Sequence, residues 1–362
     1  MNTIKITASK QYEVRIERGI LAQAGRMIGE IVAPCKACIV TDDNVEREYA
    51  DRVQTSLAAQ GFDTHRFSFP HGEVNKTLAT VADIMEFLNN RRFSRSDLIV
   101  ALGGGIVGDV AGFAAAVYLR GVRFVQIPTT LLAAVDSSVG GTTAVNLGAG
   151  KNLAGAFWQP ELVLCDIETF ESLPHDYYTD GLAEMIKCAM ICDPALFAEF
   201  ASGEFDLERA IVRCVQIKAA VVEKDERDTG VRQLVNFGHT IGHGIEKSSD
   251  YSISHGHAVA VGMVAITRAA VRLGLVGEDC LDALVACLAR NDLPVSCDYP
   301  VGHIIDAALS DKKRKGDEIT LVLPTALGRC ELRRIKTSML GELIKIGLQA
   351  EQAPVVGAAA RG

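Results

Sequence analysis

Apolar residues follow two rhythms along this chain, and the change comes near residue 170. In the first part, short apolar runs alternate with helical ones. MNTIKITASKQYEV alternates apolar and polar positions as a strand does. CKACIVTDDNV reads as a strand whose end carries Asp42, Asp43 and Asn44. GFDTHRFSF reads as another, followed by a turn at Pro70 to Glu73. TLATVADIMEFLNNRRF has the spacing of an amphipathic helix. DLIVALGGG is a buried strand running into glycine, and VRFVQIPTT is a further strand stopped by Pro128. Strands alternating with helices predict a doubly wound α/β domain on a parallel sheet. Helical periodicity dominates from Tyr178 to about Arg290, with few strand candidates. The exception is EITLVLPTALGRCELRRI, which reads as a late hairpin around Pro324 to Gly328. The expected fold is therefore α/β: a Rossmann-like parallel-sheet domain over 1–172 and a mostly α-helical domain over 173–362. The tail EQAPVVGAAARG is weakly patterned and is expected to fray.

A length of 362 residues exceeds one typical core and supports two domains. Hydrophobic residues make 48% and charged residues 23%, as in an ordinary soluble enzyme. The net charge of −8 argues against nucleic acid and against an anionic membrane surface as partners. It leaves room for an anionic small molecule in a local basic pocket. The start of the chain lacks the apolar core of an export signal, and no run of eighteen apolar residues occurs. Ten cysteines are scattered, mostly within apolar segments, as at Cys188, Cys192 and Cys287, and read as reduced thiols of a cytoplasmic protein. Cys35 and Cys38 form a CxxC, but it runs into the apparent strand ACIV, which disfavours redox or metal use.

Two motifs carry chemistry. Gly103, Gly104 and Gly105, with Gly108 and Asp109 behind them, lie where a strand ends and a helix begins. Such a turn lets phosphates approach N–H groups at a helix N-terminus. The spacing is GGGxxGD rather than the usual dinucleotide fingerprint. Asp42 at the tip of an early strand suits ribose hydroxyls and disfavours a 2′-phosphate, so NAD is expected over NADP. The second motif is histidine. Asn236 to Met263 holds four of the eight histidines, at 239, 243, 255 and 257. His239 and His243 share a helix face, and either could join His255 as a nitrogen donor. A carboxylate should complete such a site and leave a position open. Glu184, with Lys187 at i+3 in an otherwise apolar helix, offers one. Arg120, Lys151, Lys187, Lys218, Arg232, Lys312 and Lys313 sit beside glycine, asparagine or apolar helix, and several converging would bind a phosphate and a carboxylate.

Taken together, these segments resemble the 3-dehydroquinate synthase family over nearly the whole chain. GGGIVGDVAGFAAAVYLRG, IPTTLLAAVDSSVGG, GKNLAGAFWQP, GLAEMIK, DERDTGVRQLVNFGHTIGH and HGHAVAVGM fall in the family's order. The resemblance implies NAD held by Asp42, Asn44, Glu73, Lys76, Gly103 to Gly105, Asp109, Thr129 and Thr130. It implies zinc or cobalt on Glu184, His239 and His255, with His243 a phosphate and proton-handling partner. Arg120, Lys151, Asn152, Asn236 and Lys312 or Lys313 would then serve the substrate phosphate. Asp136, Lys187, Lys218 and Arg232 would serve its hydroxyls and carboxylate. The implied reaction turns 3-deoxy-arabino-heptulosonate 7-phosphate into 3-dehydroquinate and phosphate, within the shikimate pathway of aromatic amino-acid and chorismate biosynthesis. It proceeds by transient oxidation, β-elimination, reduction and aldol closure, in a homodimer whose Arg120 reaches the neighbouring site. Two positions depart from the pattern. Thr142 stands where the family usually has lysine, and His257 where it usually has glutamate. Those departures keep open a related cyclase acting on sedoheptulose 7-phosphate, a metal-dependent polyol dehydrogenase, and a non-catalytic NAD sensor.

Overall fold

The computed structural model describes residues 1–148, 150–309, 314–315 and 317–348. The alternating start of the chain forms β1 (Asn2–Ile6) and β2 (Tyr12–Glu17), paired antiparallel. Along β2 every second side chain is buried, which is the half-covered pattern the alternation predicts. The apolar runs form β3 (Lys36–Asp42), β4 (Asp63–Phe69), β5 (Leu98–Gly103), β6 (Arg123–Pro128) and β9 (Leu162–Asp166). These join β1 and β2 in one sheet of order β1-β2-β9-β6-β5-β3-β4, parallel except for β1. Every residue of β5 is buried, because helices cover both faces of the sheet. Helices α1 (Ala24–Gly29), α2 (Asp43–Val45) and α3 (Asp51–Ala58) follow the first strands, with α1 and α3 on one face. Helices α4 (Leu78–Asn90) and α5 (Gly105–Val117) lie on the other.

A hairpin of β7 (Thr142–Leu147) and β8 (Gly150–Phe157) interrupts this alternation. Its small residues and glycines carry little strand signal, so hydrophobic periodicity passes over it. The second half is helical as its periodicity predicts: α6 (His175–Cys192), α7 (Pro194–Ser202), α8 (Leu207–Lys224), α9 (His239–Ser248), α10 (His255–Arg272), α11 (Glu278–Arg290) and α12 (Val301–Leu309). A small sheet of β10 (Arg314–Lys315), β11 (Glu318–Ala326) and β12 (Arg329–Lys336) precedes α13 (Thr337–Leu348). The late hairpin turns where its sequence predicts, with an irregularity between Pro324 and Ala326. Lys312, Lys313 and the C-terminal tail lie outside the described residues. Among the described residues, no helix is long and apolar enough to cross a membrane.

α6 is the axis of the helical half. Every residue from Thr179 to Ile191 is buried, including Glu184 and Lys187. A helix covered on all sides reads as apolar all round, so two opposite charges inside it need a local reason. α9 and α10 cross beside it at a glycine seam. A Cβ on Gly262 would lie 2.1 Å from the Gly238 carbonyl oxygen. This approach brings the start of α9, with His239, against α10, with His255. Gly262→Ala is expected to force the helices apart at a cost of about 1–3 kcal/mol. The measurement is the thermal unfolding midpoint, and an unchanged midpoint would mean the seam yields without strain.

Candidate active site

Glu184, His239 and His255 converge from α6, α9 and α10. Their ligand atoms all lie within 4.8 Å of one another. Glu184 Oε1 is 3.8 Å from His239 Nε2 and 3.7 Å from His255 Nε2. It is buried without a hydrogen-bond partner, while Oε2 accepts from Lys187. Two ligands about 2.1 Å from one ion at a tetrahedral angle stand about 3.4 Å apart, so this spacing fits an ion between them. The imidazoles are oriented for it. His239 Nδ1 donates to the Phe237 carbonyl at 3.2 Å, so Nε2 is the ring nitrogen turned toward Glu184. His255 Nδ1 donates to Glu246 Oε2 at 3.2 Å.

Sequence reasoning missed Glu246. It is buried on α9, seven residues after His239, and also accepts from Lys151 Nζ at 2.8 Å. Burial would raise its carboxyl, but His255 and Lys151 outweigh that and hold it below its ordinary range. Burial alone would lower His255, yet Glu246 and Glu184 raise it overall. An acidic residue at i+7 from one histidine and i+3 from the next, on the same helix face, was the available signal. His243 also faces this cluster, with its ring centre 5.4 Å from that of His239 and 5.9 Å from that of His255. It forms a second possible ligand group with Glu246 and His255. In that group Glu246 is already engaged by Lys151 and His255, so the first group fits an ion better.

Next to the cluster lies a buried charge network. Lys218 Nζ donates to the Asp136 carbonyl at 2.7 Å and to its carboxylate. Burial would raise Asp136, but Lys218 and Lys187 overcome it and hold the carboxylate ionised. Burial would lower Lys187, but Glu184 and Asp136 hold it above its ordinary value. Lys218 goes the other way: burial, with Arg232 and Lys187 near, outweighs Asp136 and lowers it. Arg232 is buried and donates to the carbonyls of Gly140, at 3.1 Å, and Glu226. Its loop is held by Asp225, which accepts the backbone N–H groups of Thr229, Gly230 and Arg232. Glu226 ties the same loop to Ser9 and Gln159. Sequence reasoning passed over both carboxylates, because their partners are backbone groups or lie far along the chain. Asn236 Nδ2 is buried with no hydrogen-bond partner.

The glycine turn lies where expected. Gly103 ends β5 and Gly105 opens α5. Asp42 ends the neighbouring β3, and Thr129 and Thr130 follow β6. Three adjacent parallel strands thus deliver these residues at their C-terminal ends, where ligands sit in open α/β sheets. Asp42 Oδ1 accepts the N–H groups of Asn44 and Val45 at 3.0 and 2.9 Å. Thr129 Oγ1 is buried without a partner. Lys76 pairs with Asp109 beneath the turn. Glu73 Oε1 accepts Asn146 Nδ2 at 2.8 Å and lies 3.7 Å from Lys151 Nζ. Lys151 therefore bridges the glycine-turn side and the histidine side. Asn152, on the same hairpin, has a left-handed backbone (φ 52°) and donates its N–H to Asn146. Arg120 is exposed after α5, also left-handed (φ 66°), and joins none of these networks among the described residues. The CxxC takes no part. Cys38 is buried in β3, where burial pushes its thiol up to about 12, and Cys35 lies before the strand.

Known proteins resemble this chain over nearly its whole length. The family described as 3-dehydroquinate synthase N-terminal matches residues 66–180, and 3-dehydroquinate synthase C-terminal matches residues 181–314. A 3-dehydroquinate synthase of Streptococcus sanguinis is 43% identical over 345 residues, covering 92% of this chain and 97% of its own. One from Clostridium acetobutylicum is 38% identical over 355 residues, covering 96% and 100%. Among solved structures, 2-deoxy-scyllo-inosose synthase complexed with carbaglucose-6-phosphate, NAD+ and Co2+ is similar. It matches with a TM-score of 0.86 and 27% identity, over 96% of this chain and 100% of that one.

Proposed function

The chain belongs to the 3-dehydroquinate synthase family, and from that premise we propose that it converts 3-deoxy-arabino-heptulosonate 7-phosphate to 3-dehydroquinate and phosphate. The observation that carries the reading is the buried, unpartnered Glu184 oxygen facing two oriented imidazoles beside the Lys187–Asp136–Lys218 network. Glu184, His239 and His255 would hold a divalent ion, zinc or cobalt, which supplies a Lewis acid for the substrate hydroxyls. Asp42, Asn44, Glu73, Lys76, Gly103 to Gly105, Asp109, Thr129 and Thr130 would hold NAD, which supplies a reversible hydride acceptor.

The chain's own residues do the rest. Lys187 and Lys218 flank Asp136, so substrate hydroxyls placed there meet two cations of different acidity. Lys218, lowered by burial and by Arg232, releases a proton more readily than Lys187, which Glu184 and Asp136 hold charged. Arg232 binds the substrate carboxylate. Lys151, Asn152, Asn236 and His243 hold the phosphate, with Lys312 or Lys313. Excluding water around these groups strengthens each contact with the anionic substrate. The assigned division of labour is 1–172 for NAD, with Asp136, Lys151 and Asn152 reaching the substrate, and 173–362 for the metal and the remaining substrate contacts. Arg120 is assigned to the neighbouring site of a homodimer, supported by its exposed position beside the exposed Val117, Leu119 and Phe157. Free cysteines support a cytoplasmic setting.

The test offers the purified protein both heptulose phosphates with zinc and NAD equimolar to enzyme. The expected result is 3-dehydroquinate and phosphate from the acid substrate over many turnovers, without NADH accumulation. NADH rising in proportion to product would indicate a net dehydrogenase. Preference for sedoheptulose 7-phosphate would indicate a different cyclase.

A further inference from the structure

The start of α10 rests directly on α6. A Cβ on Gly256 would lie 2.4 Å from both the Cα and the carbonyl oxygen of Asp180. The first N–H groups of any helix need acceptors. Ser254, which precedes α10, makes no capping bond of its own. Its hydroxyl instead donates to Asp180 Oδ1 at 2.6 Å. The same oxygen accepts the His257 backbone N–H at 3.0 Å. Asp180, four residues before Glu184, thus caps a helix other than its own. The His257 ring completes the contact. Nδ1 lies 3.0 Å from Asp180 Oδ1 and 2.5 Å from Ser254 Oγ, and Nε2 lies 3.4 Å from Thr179 Oγ1. The Thr179 hydroxyl donates to the Asp176 carbonyl at 3.0 Å, so it offers the ring an acceptor. Both ring nitrogens therefore face acceptors.

We propose that Asp180 and His257 are a matched pair of positioning residues that lock the start of α10 onto α6 and so set the separation of His255 from Glu184. The inference rests on the reading of Glu184, His239 and His255 as metal ligands. His257 stands where the family usually carries glutamate. A carboxylate there brings only acceptors and a second negative charge against Asp180. In this chain the family's own residue breaks the lock unless position 180 changes with it.

A double-mutant cycle tests this, with His257→Glu, Asp180→Asn and the two combined, and His257→Gln as the variant that keeps one donor. Two quantities are read: Co2+ affinity by titration, and the thermal unfolding midpoint in the presence of a chelator. His257→Glu is expected to bind Co2+ about tenfold more weakly or worse and to unfold at lower temperature. Asp180→Asn in the same chain is expected to recover most of both losses, because the asparagine amide donates to the new carboxylate. His257→Gln should lose less than His257→Glu. Unchanged Co2+ affinity in His257→Glu, or purely additive effects of the two changes, would overturn the proposal. Failure of the parent protein to bind Co2+ would instead overturn the ligand assignment, and the coupling measured in chelator then decides the 180–257 pairing on its own.

Discussion

Glu184→Gln is expected to abolish both tight metal binding and phosphate release. Glutamine keeps the shape but removes the charge that faces the two imidazoles. It also leaves the fully buried Lys187 ammonium with Asp136 as its nearest remaining counter-charge. Losing a Lewis acid removes several kcal/mol of transition-state stabilisation, so activity should fall by about a thousandfold or more. Metal content and phosphate release are measured together on the purified variant, and chelated parent protein should match it. Part of the damage could come from the stranded ammonium rather than from the ion. Glu184→Gln combined with Lys187→Met separates the two, since it should regain thermal stability without regaining metal affinity. Full activity in chelated protein of confirmed nil metal content would sink the assignment.

Arg232→Ala is expected to cost about 2–4 kcal/mol in kcat/KM for the carboxylate-bearing substrate, mostly through KM. Thr142 opens β7 where the family usually places a lysine, and a hydroxyl brings no charge. β7 pairs Thr142 with Phe157, and the Arg232 guanidinium lies 5.9 Å from the Phe157 ring centre. Arg232 is thus a buried cation next to the strand pair that lacks the lysine. Its bonds to the Gly140 and Glu226 carbonyls also hold the loop, so Arg232→Lys and the unfolding midpoint serve as controls for structural loss. Thr142→Lys should leave the enzyme active or improve it. An acid substrate turned over normally by Arg232→Ala would remove Arg232 from carboxylate recognition.

Much of this molecule is written in local patterns. Continuous apolar runs mark β3, β5 and β6 because both faces of a parallel sheet are covered, and a glycine run after such a strand marks the turn into α5. Histidines four apart mark a helix face, and a charge pair inside an apolar helix marks Glu184 and Lys187 as more than surface residues. The family motifs carry the same information in sharper form. Helical periodicity does not choose between His239 and His243, since both lie on one face of α9, whereas the family motifs imply His239. The packing of α9 at the Gly238–Gly262 seam brings both rings to the cluster, and His239 is the one grouped with Glu184. Nor does sequence disclose Glu246 behind His255, Asp225 under the Arg232 loop, or Asp180 capping α10, because each acts on a group from another segment or on backbone. The β7–β8 hairpin and the place of β9 between β2 and β6 are likewise decisions of the tertiary structure. Periodicity reports which face of an element is buried. Which residues meet across that face depends on helix crossings and strand order, and these are set by the packing of the whole chain.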